Sequence, residues 1–153
     1  MTRQIKLFEI IATVGYIGKL PVAPGTWGSF AAFLTWYLIK PYVEDPHFLL
    51  LNLGIFFVGV VSAEILAEHW DEKDPSSIVI DEWVGQWLAL YMVPHHFGWG
   101  LVAFLLFRLF DILKPGPIKL MENLQSGLGI MMDDLVAGIL ALLVTNSLII
   151  FFA

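Results

Sequence analysis

Cysteine is absent from the 153 residues of this chain, which removes disulfides, thiolate catalysis and sulfur-ligated metals at once. Charge is scarce as well. Asp, Glu, Lys and Arg together make up 14% of the sequence, about half the share found in ordinary soluble domains. Basic residues are the scarcer sign, eight against fourteen acidic ones, for a net charge of −6. Such a balance cannot neutralise a row of phosphates, which argues against nucleic acid as a partner. No segment alternates apolar and polar residues with period two, which disfavours a β-barrel. Solenoid-length repeats and low-complexity linkers are missing too. The basic start "MTRQIKLFEIIATVG" has its apolar run broken by Glu9 and no small-x-small cleavage site behind it. It reads as an amphipathic N-terminal helix and not as a signal peptide.

What remains is apolar. Hydrophobic residues are 58% of the chain and the mean hydropathy is +0.78, more than a single domain of this length can bury. The surplus must face lipid or a partner. Residues 1–153 are therefore read as one all-α, multi-pass membrane bundle with about four to five hydrophobic helices. Two stretches, 48–67 and 135–153, reach the twenty or so apolar residues needed to cross about 30 Å of hydrocarbon. Three shorter ones, 26–39, 82–93 and 99–113, are bounded by Pro and Gly and read as partly shielded spans. The alternative for these three is that they lie in the interface without crossing. With the N-terminus inside, the loops at 14–25, 71–80 and 114–130 share one side. Arg3, Lys6, Lys19, Lys73, Arg108, Lys114 and Lys119 then lie on that side and only Lys40 lies opposite, as expected where positive loops stay cytoplasmic.

In this topology the polar clusters converge. "IDEWVG" brings Asp81 and Glu82, "FRLFDILKPGPIK" brings Arg108, Asp111 and Lys114, and "MMDDLVAG" brings Asp133 and Asp134, all to inner helix ends. Ionisable residues at membrane depth are costly and need a compensating role. Neighbouring carboxylates lie about 100° apart on a helix, so one of each pair can cap the backbone while the other points inward. Asp81 and Asp133 are the natural N-caps, and carboxylates also suit the positive end of the helix dipole. Arg108 and Asp111, three residues apart, share a helix face. Five carboxylates beside two or three cations, without Cys and without His near the inner ends, suit Mg²⁺ or Mn²⁺ over zinc. Arg and Lys next to such a metal suit phosphate. The pattern points to phosphoryl chemistry at a membrane surface.

The loop "GYIGKLPVAPGTWGS" adds backbone donors. Gly15, Gly18, Gly25 and Gly28 allow close approach, while Thr26 and Ser29 offer caps to the following helix and a place for an anion. It lacks the closing Gly-Lys-Ser/Thr of a Walker loop. His95 and His96 fall on the outer loop, away from the acids. Trp27, Trp36, Trp70, Trp83, Trp87 and Trp99 lie at or near segment ends, as in an aromatic belt. Glu64 and Glu68, four apart near the inner end of a span, read either as a solvated face or as supporting ligands.

"PVAPGTWGS", "DEWVG", "FRLFDILKPGPI" and "GIMMDDLVAG", in this order and spacing, resemble the phosphatidylglycerophosphatase A family, with Gly116 standing where a larger residue is expected. The resemblance implies a Mg²⁺-dependent bacterial membrane phosphatase that removes the terminal phosphate of phosphatidylglycerophosphate. Its partners would be that lipid and the bilayer, and its place the inner membrane with the site facing the cytoplasm. It also implies that Asp81, Glu82, Arg108, Asp111, Lys114, Asp133 and Asp134 belong to the active site. On chemical grounds Glu82, Asp133 and Asp134 are expected as first metal ligands, with Asp81 or Asp111 completing the shell or serving as base. Arg108 and Lys114 would clamp the phosphate, with Lys19, Gly25, Thr26 and Ser29 around it. Attack by water and attack by an Asp nucleophile both fit. One rival is a CDP-alcohol phosphotransferase, whose Asp-Gly-x₂-Ala-Arg pattern is absent. Another is a cation transporter or structural subunit, which would release no phosphate.

Overall fold

Proline and glycine set the borders of the helices. Pro24 and Pro46 stand in the first turns of the helices Pro24–Ile39 and Asp45–Trp70, where a missing N–H costs nothing. A computed structural model describes residues 3–121, 123–124 and 126–152. Met1 and Thr2 of the expected first helix, and Ala153 at the end of the expected last span, lie outside the described residues. The helices are α1 (Arg3–Ala12), α2 (Pro24–Ile39), α3 (Asp45–Trp70), α4 (Ile80–Ala89), α5 (Phe97–Leu113), α6 (Pro117–Met121) and α7 (Gly127–Phe152). Short 3₁₀ turns follow at Ile17–Lys19 and Lys40–Tyr42, and no strand occurs among the described residues.

α3 and α7 each hold 26 residues, about 39 Å at 1.5 Å per residue. Both are long and apolar enough to cross a membrane. Leu50, Phe57 and Val61 on α3 and Leu143, Ile150 and Phe151 on α7 point outward, an apolar exterior that lipid would cover. α2, α4 and α5 have 16, 10 and 17 residues and stop short of that length. α1 buries Glu9 and Ala12 and leaves Leu7 and Ile10 exposed.

The short α4 occupies the centre, packed against α2, α3, α5 and α7. Val84, Gly85, Gln86, Trp87 and Ala89 are all buried there. A helix surrounded by protein need not match the bilayer thickness. The same packing changes the role of two tryptophans. Trp87 donates from Nε1 to the Ala32 carbonyl at 2.9 Å and Trp36 is fully buried beside Phe33. They are core residues and not part of an aromatic belt, because their rings fill the space between α2, α3 and α4.

α4 and α7 run parallel and cross at Gly85 and Gly138. A Cβ on Gly138 would lie 2.5 Å from the Gly85 carbonyl oxygen, and one on Gly85 would lie 2.5 Å from the Asp134 carbonyl. Real Cβ atoms do not approach that closely, so the crossing requires glycine on both sides. Further along, Asn146 reaches the Tyr91 carbonyl at 3.3 Å and keeps the two helices aligned. Asp81 precedes Gly85 by one turn and Asp134 precedes Gly138 by one turn, so the crossing sets the two acids level.

The start of α7 differs from expectation. The helix begins at Gly127, well before the acidic pair, so Asp133 is no N-cap. The Glu64 carboxylate of α3 accepts from the Gly127 N–H instead, which gives Glu64 the capping task. Asp81 is likewise inside its helix, whose N-cap position is Val79.

Candidate active site

Four helix segments meet at one end of the bundle: the starts of α2 and α4, the end of α5 and the second turn of α7. Between them lies a cleft of about 400 Å³ lined by Asp81, Glu82, Arg108, Asp111, Lys114, Asp133 and Asp134. Asp81, Glu82 and Asp134 each place a carboxylate oxygen within 4.8 Å of the others. Asp81 and Asp134 are 8% and 3% exposed. Oδ1 of Asp81 and Oε2 of Glu82 are buried without a hydrogen-bond partner. Three carboxylates this close repel one another, and burial denies them water. A cation relieves both costs, and an all-oxygen donor set suits a hard divalent ion. The trio therefore fits a metal ion.

The approach to Glu82 depends on the turn before α2. Ala23 adopts a left-handed backbone, φ 49° and ψ 55°, at a cost of roughly 1–2 kcal/mol for a residue with a Cβ. That turn brings Gly25 against the Glu82 carboxylate, where a Cβ would collide with Oε1 and sit 3.4 Å from Nη1 of Arg108. Gly25 and Thr26 line the cleft. Ser29 donates to the Gly25 carbonyl at 2.9 Å and accepts from Nη1 of Arg108 at 3.3 Å. Neither Thr26 nor Ser29 caps α2, because the helix already starts at Pro24 and no side chain caps it.

The cations are each held by a carboxylate. Arg108 donates from Nη1 to Oδ2 of Asp111 at 2.5 Å. Lys114 ends α5 in a left-handed conformation, φ 45°, and this turn sends its ammonium back to Oδ2 of Asp133 at 2.8 Å. Asp133 also accepts the Asp134 N–H at Oδ1, 3.0 Å away. Asp133 is thus turned to Lys114, while Asp134 alone of this pair joins the trio.

Other sequence candidates sit elsewhere. Lys19 pairs with Glu9 and lies 5.3 Å from the ring of Tyr16, outside the cleft lining. His95 bonds the Tyr37 carbonyl at 2.9 Å and His96 accepts the Trp99 N–H, both at the opposite end of α5 from Asp111. Sequence reasoning passed over Asp74 and Ser76, which line the cleft from the α3–α4 loop. Their only signal is proximity to "IDEWVG".

Residues 10–149 match the family model described as phosphatidylglycerophosphatase A. The chain belongs to the phosphatidylglycerophosphatase A family. It is a phosphatase of phospholipid metabolism, which sets aside the transporter and structural-subunit readings. The phosphatidylglycerophosphatase A of Escherichia coli is 38% identical over 126 residues, 81% of this chain and 73% of that one. The enzyme of the same name from Haemophilus influenzae is 39% identical over 133 residues, 86% of this chain and 82% of that one. A Bacteroides thetaiotaomicron protein named provisionally as a phosphatidylinositol-3-phosphatase is 39% identical over 146 residues, 91% of each chain. No solved structure matches the chain.

Proposed function

We propose that this phosphatase hydrolyses the terminal phosphate monoester of phosphatidylglycerophosphate with Mg²⁺ and leaves phosphatidylglycerol. The observation that carries the reading is the meeting of Asp81, Glu82 and Asp134 with Arg108 and Lys114 in one cleft. The substrate is taken from the names of the Escherichia coli and Haemophilus influenzae relatives. In this reading the protein is a multi-pass protein of the bacterial inner membrane. α3 and α7 cross fully, α2, α4 and α5 are shorter shielded spans, and α1 is an amphipathic helix at the cytoplasmic surface. Positive residues gather on the cleft side. Acyl chains stay in the leaflet beside the exposed apolar flanks, and the headgroup phosphate reaches the cleft at helix-end height.

Asp81, Glu82 and Asp134 hold the ion in this reading. When bound, Mg²⁺ supplies positive charge at the phosphate and lowers the pKa of an attacking water. Arg108 and Lys114 orient the phosphate oxygens and offset the charge that spreads over them as the ester bond breaks. Asp111 and Asp133 keep the two cations in place before substrate arrives. Asp111, which lines the cleft outside the trio, takes the proton of the attacking water. A new P–O bond forms to that water as the bond to the glycerol oxygen breaks; the departing alkoxide takes a proton from solvent water, and Asp111 returns its proton to solvent.

Phosphate release from phosphatidylglycerophosphate by the purified protein in lipid–detergent micelles tests this. The expected result is release that stops with a chelator and returns with Mg²⁺. No release from folded, metal-replete protein would overturn it. Phosphatidylinositol 3-phosphate is the second substrate to compare, because the Bacteroides thetaiotaomicron relative carries that activity in its name. A higher kcat/KM on the inositol lipid would move the assignment to it.

A further inference from the structure

One buried residue of α4 takes no part in the chemistry described so far. Gln86 is fully buried, and both Oε1 and Nε2 lack a hydrogen-bond partner. It is the one described residue whose two side-chain heteroatoms are both in that state. Leaving a buried amide unpaired is destabilising. A methionine of similar volume would fill the same space without that cost.

The neighbours supply the complement. Gln86 follows Glu82 by one turn, so the two side chains stack on one face of α4. On that face Oε2 of Glu82 is a buried acceptor without a donor. Arg108 approaches Glu82 around Gly25, and its Nε is a buried donor without an acceptor. Ser29, one turn beyond Gly25, fixes Nη1 of the same guanidinium. Two acceptors and two donors, all buried and all unpaired, therefore belong to three residues, of which Glu82 and Arg108 line the cleft and Gln86 lies one helical turn behind Glu82. Nε2 of Gln86 matches Oε2 of Glu82, and Oε1 of Gln86 matches Nε of Arg108.

We infer that Gln86 is a positioning residue that bridges the Glu82 carboxylate and the Arg108 guanidinium through buried water, and so fixes a metal ligand and a phosphate clamp relative to each other. The inference rests on the metal and phosphate roles proposed above for Glu82 and Arg108. Losing such a supporting partner commonly costs about 10–100-fold in metal affinity or activity. Q86M keeps the volume and removes both polar atoms. The expected result is about tenfold weaker Mn²⁺ binding, read by electron paramagnetic resonance on the purified protein, and a lower kcat, with thermal stability unchanged or raised. Parental Mn²⁺ affinity and kcat in Q86M would overturn the inference. So would loss of activity in step with loss of stability while Mn²⁺ binding stays parental, since that is the signature of a packing role. Q86L carries the same expectations with a different shape and replaces Q86M if that variant does not fold. Wild-type protein that neither binds Mn²⁺ nor releases phosphate would instead sink the proposed function itself.

Discussion

The two acidic pairs look interchangeable in the sequence and behave differently in the fold. In α4, Asp81 and Glu82 both reach the trio, because Glu82 has one more methylene and meets Gly25, which has no side chain in the way. In α7, Asp134 joins the trio while Asp133 turns to Lys114. The helices differ as much as their acids. α4 is short and surrounded by protein, whereas α7 is span-length and apolar on its outer face. A buried helix can commit both acids to an internal site. A helix on the perimeter has one inward face, so its second acid must find another partner.

The largest effect should follow from breaking the trio. Asp134→Asn or Glu82→Gln removes a negative ligand atom without changing shape. Turnover should fall on the order of a thousandfold, about 4 kcal/mol of transition-state stabilisation, while membrane insertion and thermal unfolding stay near wild type. Turnover kept within a few-fold would remove that residue from the metal shell.

Next comes the crossing that holds the two acids level. Gly138→Ala places a Cβ 2.5 Å from the Gly85 carbonyl oxygen and forces α4 and α7 apart. Overpacking of this kind costs about 1–3 kcal/mol, and a displacement of about 1 Å at a catalytic group can cost roughly a hundredfold in rate. Both the melting temperature and kcat should fall. A Gly138→Ala protein with parental rate would mean that the spacing between Asp81 and Asp134 does not set activity.

Much of this was legible from residues alone. Helix existence followed from Pro and Gly borders, and the convergence of acids and cations followed from the order of the motifs. The start of α7 was not legible, because the two glycines of "SGLGIMM" weaken the helical pattern there; the Gly127 N–H is met by Glu64, across the bundle. The centrality of α4 was hidden as well. Its apolar residues read equally well as facing lipid, and only the packing around Val84 and Trp87 decides the matter. The division of labour within "MMDDLVAG" depends on a left-handed turn at Lys114, which no spacing rule announces for a lysine.

A smaller effect sharpens the comparison between the pairs. Asp133→Asn breaks the contact with Lys114 but leaves Asp81, Glu82 and Asp134 intact. About a tenfold loss of kcat/KM is expected, or about 1.4 kcal/mol, because Lys114 loses the Asp133 carboxylate and the metal keeps its ligands. Mn²⁺ affinity should stay close to wild type. A loss as deep as that of Asp134→Asn, with weakened Mn²⁺ binding, would return Asp133 to the shell and make the two pairs equivalent after all.

The smallest effect is expected at the other end of the bundle. His95 is exposed and bonds a backbone carbonyl of α2, at Tyr37, while its ring lies against that tyrosine. Most of α5, from Phe97 to Asp111, separates it from that carboxylate, about 21 Å at 1.5 Å per residue. His95→Ala should therefore leave kcat and KM within a few-fold of wild type and cost at most about 1 kcal/mol of stability. A deep loss of turnover with intact folding would place chemistry at the far end of α5, and the cleft described here would no longer account for the activity.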